Sequence, residues 1–335
     1  MLSGKYWPVR PRPLPGEILT SWLVRIAHAH GFSAQSFCDR AFGSHYQIWN
    51  RDIDRQAPNW LLKHISMKTG HPLWRVKRMS LAIYEGRLFP KALLSGKQQW
   101  LLPLHIYHRT RHGFGTQFCP ICVQVAKEPY FQRIWRLALY TFCPYHGIML
   151  HDRCPKCKQA VAYFRQGIGA ESYTEANPLS ICVNCGFDLA QTEVRPLYVW
   201  DEDVHRRWRY AQAKTEALQI GNDKWGYTIF PVLHQLCKVL TGRWRKNNLL
   251  AYAEFSSSSG TTPIDFGIRG FENRPIAERH HLLSLAFWLL GKWPKRLLAA
   301  WEAGVVTYSL LVKDGKNLPD WYHNSLIPLN KRNLA

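Results

Sequence analysis

Eight side chains able to bind a metal recur in four pairs, and two residues separate the members of each pair. The pairs are Cys119/Cys122, Cys143/His146, Cys154/Cys157 and Cys182/Cys185. Such a knuckle lets two donors reach one tetrahedral ion, and a second, distant pair completes the coordination. Four pairs therefore supply two closed sites. The local sequences are FCPIC, FCPYH, RCPKC and ICVNCG, and the glycine after the last fits the tight turn of a knuckle. Sequential pairing gives one site from Cys119, Cys122, Cys143 and His146, and an all-cysteine site from Cys154, Cys157, Cys182 and Cys185. Interleaved pairing would join the first pair to the third. Sequential pairing is favoured, because each site then closes a loop of ordinary zinc-finger length. Mixed thiolate and imidazole donors suit zinc, so two structural Zn2+ ions are expected.

The same residues make poor catalysts. A catalytic zinc keeps one position open, whereas these pairs fill all four. Cys143 and His146 could act as nucleophile and base only by leaving a site incomplete. The nearest approaches to a carboxylate cluster are RDIDR (Arg51–Arg55) and DED (Asp201–Asp203), and both read as solvated loops. No GxxxxGK[ST] motif is present to cradle a nucleotide. The chain is therefore read as a non-enzyme. His151, just outside the pairs, reads as a surface histidine. His28/His30 and His280/His281 read as structural or surface residues. Cys38 and Cys237 read as small buried side chains in apolar helices.

The elements that must position these pairs are mostly helical. After a proline-rich basic leader, Ile18, Leu19, Trp22, Leu23 and Ile26 recur at helical spacing, with Gly31 as a stop. Ser33 can cap a second helix, and a third runs past Trp60 and Ile65 to Gly70. Pro72 opens PLWRVKRMSLAIYEG, which sets Leu73, Val76 and Leu81 against Arg75, Lys77 and Arg78. HRRWRYAQAK and LHQLCKVLTGRWRKNN are helical and basic again, and SSSSGTT (Ser256–Thr262) reads as a loop. IAERHHLLSLAFWLLGKWPKRLLAAWEAG gives an apolar helix, a break at Gly291 and a new helix starting at Pro294. Short helices joined by glycine turns match helix-turn-helix units and also any small helical domain. The expected architecture is mainly α-helical and multi-domain: an N-terminal helical region (1–115), a central double zinc-binding module (116–195) and a C-terminal helical domain (196–335).

Charge narrows the partners. The chain has 335 residues, with 44 Lys+Arg against 23 Asp+Glu and a formal net charge of +21, which favours a polyanionic partner such as nucleic acid. Candidate contacts are Arg75, Lys77 and Arg78, and Arg243, Arg245 and Lys246 beside Trp244. Aromatic–basic interleaving there fits phosphate contact with stacking, and also ordinary cation–π packing. MLSGKYWPVRPRPLPGE lacks the apolar stretch of a signal peptide, and Leu282–Leu290 is too short to span a bilayer. A cytoplasmic protein without membrane contact is expected, its nine cysteines being thiols or metal ligands.

PRPLPGEILTSWLVRIAHAHGFS resembles the opening of the TniQ family at Pro15, Glu17, Ser21, Trp22, Arg25 and Gly31. FCPIC, WRLALYTFCPYHGIMLHDRCPKC and CVNCGFDL are similar to its zinc region, so the resemblance covers about residues 8–190. AFWLLGKWPKRLLAAW also looks like the family's helical tail. The resemblance implies a bacterial target-selection adaptor that brings a transposon's AAA+ regulator and transposase to an insertion site. Relatives of one kind bind an attachment sequence in DNA. Others dock on a CRISPR RNA-guided effector complex (Cascade-like), and the length of this chain leans towards that mode. A homodimer is compatible with either. The rival reading is a stand-alone, sequence-specific, zinc-containing DNA-binding protein.

Overall fold

A computed structural model describes residues 2–44, 46–93, 96–104, 113–166, 178–217, 226–243, 248–313, 315 and 317–330. Among them the chain forms 13 α-helices and pairs its strands only as isolated bridges. It divides into two compact units. The first comprises residues 1–84, 94–96 and 101–196, and the second residues 85–93, 97–100 and 197–335. The amino-terminal helices and the cysteine-rich region thus share one unit.

In the first unit, helix α1 (Leu19–Ala29) is buried from Leu19 to Ala27 on every side. The apolar spacing accounts for Leu19, Trp22, Leu23 and Ile26. Gly31 ends the segment in the left-handed region, φ +72°. Helix α2 (Ala34–Phe42) is capped by Ser33, whose hydroxyl accepts the Ser36 N–H at 3.2 Å. Helix α3 (Ile53–Gln56) is a single turn. Helices α4 (Asn59–Thr69) and α5 (Leu73–Lys77) are joined by Gly70, at φ +75°, and Pro72. The PLWRVKRMSLAIYEG helix stops after five residues and passes through a turn to a 3-10 segment, Leu81–Tyr84. Helix α6 (Pro120–Val125) begins with proline, whose missing N–H costs nothing at a first helical position.

The second unit is organised on α10 (Ile276–Gly291), nearly all of which is buried, with α7 (Glu202–Glu216), α8 (Ile229–Leu240) and α9 (Leu249–Ser257) against it. The apolar run Leu282–Leu290 is therefore a core helix. No described helix is long and apolar enough to cross a membrane. Trp208 of α7 stacks on His280 and Phe287 at 4.9 and 5.5 Å. Asp201 caps α7, accepting the Asp203 and Val204 N–H groups, and Asp203 pairs with Arg207 at 2.6 Å, so DED is a helix start and not a free loop. SSSSGTT begins inside α9, which runs on to Ser257 before Ser258 turns left-handed at φ +56°. Pro294 stands at the start of α11 (Lys295–Glu302), and α12 (Tyr308–Val312) and α13 (Asp320–Asn330) complete the unit.

Candidate metal centres

The four knuckles are built in two ways. In three of them the chain makes the same small hairpin. The first donor's N–H bonds the carbonyl five residues on: Cys143 to Ile148 at 2.8 Å, Cys154 to Gln159 at 3.0 Å and Cys182 to Phe187 at 2.8 Å. Its carbonyl accepts from the residue just after the second donor, which is Gly147, Lys158 or Gly186. Each of those three is left-handed, at φ +61°, +61° and +70°. Antiparallel bridges close the hairpins at Phe142–Met149, Arg153–Ala160 and Ile181–Asp188. The first knuckle differs: Cys119 caps α6, and its sulfur accepts the Cys122 N–H at 3.4 Å.

The donor atoms gather in two groups, Cys119/Cys122/Cys143/His146 and Cys154/Cys157/Cys182/Cys185, and within each all lie within 4.8 Å of one another. The pairs are thus grouped sequentially, not interleaved. His146 points Nδ1 at Cys119, Cys122 and Cys143, 3.4, 3.3 and 3.5 Å from their sulfurs. The Cys122–Cys143, Cys154–Cys185 and Cys157–Cys182 sulfurs are each 3.7 Å apart. A disulfide would be about 2 Å long, so these are separate thiols. With Zn–S near 2.3 Å and Zn–N near 2.1 Å, tetrahedral edges come to about 3.8 Å (S–S) and about 3.6 Å (S–N). Both groups therefore have the donor chemistry and the spacing of a zinc site. Burial pushes the Cys182 thiol up to about 12, while the Phe187 N–H bonding its sulfur lowers Cys185 to about 7. A cation would draw both into the thiolate form.

Around the first group lies a polar clamp of a kind that local sequence does not reveal. Glu17, fully buried, accepts from Ser21 at 2.9 Å, from the Leu14 N–H at 2.9 Å and from Arg25 at 2.8 Å. Arg25 also reaches Glu128 at 2.6 Å, and the Ser21 hydroxyl accepts the Phe131 N–H at 3.0 Å. These bonds tie α1 and the leader to the chain directly after α6. Burial outweighs Arg25 and raises the Glu17 carboxyl to about 7.

A second network corrects the reading of RDIDR as a solvated loop. Asp54 is buried and accepts the Thr20 N–H and hydroxyl at 2.8 and 2.7 Å. The buried Arg136 guanidinium bonds Asp52 at 2.6 Å and approaches Asp54 at 3.4 Å. Burial raises Asp54 to about 7. Tyr163, between the two pairs of the second group, bonds the Thr20 hydroxyl at 2.6 Å and stacks on Phe131 at 4.1 Å. His151 is likewise not at the surface. It is buried on the strand between the groups, stacks on Phe118 at 5.5 Å and is lowered to about 4 by burial. Cys38 and Cys237 are buried in α2 and α8 as read.

The TniQ family model matches residues 8–150. The chain carries a TniQ domain. That match supports membership of the TniQ family, and it takes in the first donor group but ends before the second. No curated protein matches the chain. The residues behind the TniQ resemblance now have physical roles. Glu17, Ser21 and Arg25 are the clamp, Trp22 Nε1 donates to the Pro11 carbonyl at 2.8 Å, and Gly31 is left-handed. Of the basic contacts read from sequence, Arg75 and Lys77 are exposed on α5, Arg78 is half-buried at its end, and Arg243 is exposed after α8. Arg245 and Lys246 lie outside the described residues.

Proposed function

We propose that this TniQ chain is a target-selection adaptor in transposition. It would recruit an AAA+ regulator and a transposase to an insertion site, through a CRISPR RNA-guided effector complex or through target DNA. The observation that carries the reading is the TniQ domain itself, with a closed four-donor group clamped to its first helix. Recruitment needs surfaces held in fixed relation and no bond made or broken. The Cys119/Cys122/Cys143/His146 and Cys154/Cys157/Cys182/Cys185 groups would each hold one structural Zn2+, so their coordination energy becomes folding energy. Residues 1–115, 116–195 and 196–335 would serve as helical TniQ region, zinc module and C-terminal helical domain. The net charge of +21 also favours a second reading, a DNA-binding protein that finds its site unaided.

The test is capture of purified AAA+ regulator and transposase by the full-length chain, with and without the effector complex and DNA. Effector-dependent capture is expected. Tight, site-selective binding to DNA by the chain alone, without capture, would replace the adaptor reading with the second. Metal analysis is expected to give two zinc ions per chain. One or none would overturn the two-site assignment.

A further inference from the structure

Acidic residues are missing from two stretches of this sequence. None occurs in residues 1–16, and none from Arg55 to Tyr84, although together these hold nine lysines and arginines. The structure lays the two stretches against each other. The Trp7 N–H donates to the Lys68 carbonyl at 2.9 Å, and Lys68 Nζ donates to the Gly4 carbonyl at 2.6 Å. The leader thereby crosses the end of α4 where the turn to α5 begins. Arg10 reaches that turn, within 3.4 Å of where a Cβ at Gly70 would stand. Burial, then the Arg75, Arg10 and Arg12 charges, depress His71 in the same turn.

Two large rings stand open on these two acid-free stretches. Trp74 is 59% exposed and Tyr6 is 44% exposed. Both lie beside cations: Arg78 is 5.8 Å from the Trp74 ring centroid, and Arg10 is 4.8 Å from that of Tyr6. On α7, by contrast, Arg206 and Arg207 are paired with Asp203. Cations without acids attract a phosphate backbone, and rings with a free face stack on unpaired bases, which a duplex hides.

We propose that the leader and the α4–α5 surface form a docking face for single-stranded nucleic acid. Arg10, Arg12 and Arg75 take the phosphates, and Trp74 stacks on a base. This deepens the reading that the chain meets nucleic acid, and it adds leader residues and a stacking platform to the α5 cations.

The experiment measures labelled oligo-dT, and a duplex of equal length, binding to the full-length chain across a salt series. Trp74→Ala is expected to weaken oligo-dT binding between about fivefold and a hundredfold, with the salt slope unchanged. Trp74→Phe should recover most of the loss. Arg10→Gln and Arg75→Gln should each reduce the slope by about 0.7. Arg206→Gln should change neither. Trp74 is exposed, so an unaltered melting temperature serves as the folding control. The proposal is overturned if Trp74→Ala stays within about twofold of wild type. It is equally overturned if the duplex binds more tightly than oligo-dT, or if Arg206→Gln weakens binding as much as Arg75→Gln. Capture of the AAA+ regulator by Trp74→Ala separates the two readings. Capture retained with oligo-dT binding lost upholds both, whereas capture absent from wild type fails the adaptor reading alone.

Discussion

Glu17 shows how a single side chain can be conspicuous in sequence and still conceal its work. Ser21 and Arg25 follow it at four-residue steps on α1, but Glu17 itself lies before the helix, bridged to Gln132, and Arg25 and Ser21 also bond Glu128 and Phe131, more than a hundred residues away. Asp54 is the same case. RDIDR is polar and short, and nothing local signals Thr20 or Arg136. The seven cysteines and one histidine that gather in two groups were legible because a knuckle is a local pattern, whereas buried polar networks are made by tertiary contact. Glu17 carries a pH consequence with a definite sign. Its carboxyl rises from the ordinary 4.5 to about 7 on folding, so the folded chain binds more protons between those values. The stability it contributes is full below pH 4.5 and is lost as pH rises through about 7, by roughly 3 kcal/mol. Glu17→Gln should flatten that part of the stability profile, measured by urea titration at stepped pH against wild type.

At the scale of the element, the knuckle hairpin is the recurring unit, and its demand on the backbone is uniform. One residue after the second donor must be left-handed. Gly147 and Gly186 accept this freely, while Lys158 does so at a steric cost. A Cβ at Gly186 would meet nothing within 4 Å, so Gly186→Ala tests the backbone alone. It should cost about 1 kcal/mol, and Lys158→Gly should gain up to about 1 kcal/mol. Denaturant midpoints at saturating zinc would read both. The sequence revealed the glycine after the last knuckle but gave no sign that Lys158 occupies the same conformation, because lysine carries no such signature. Helix starts and stops at Ser33, Gly31, Gly70 and Pro294 were legible for a related reason, since caps and breakers act within one turn. The early end of α5 was not, because Leu81 packs at a 3-10 turn and not on a continuing helix.

Across the whole molecule, all eight donors lie in the first unit and none in the second. Chelation should therefore act unequally. Removing zinc is expected to expose residues 116–196, and with them α1, to hydrogen exchange and proteolysis, while α7, α8 and α10 keep their protection. Equal loss in both units would contradict the assignment of the metal to folding of the first. The same arrangement has a consequence for synthesis on the ribosome. Helix α1 is buried on every side, its apolar Leu19, Trp22, Leu23, Val24 and Ile26 among the rest, and its covering includes Phe131 and Tyr163, which are made long after it. At ordinary elongation rates the nascent chain must carry that sticky helix unburied for on the order of 10 s. Burial of α1 therefore waits on the same segment that carries the two donor groups.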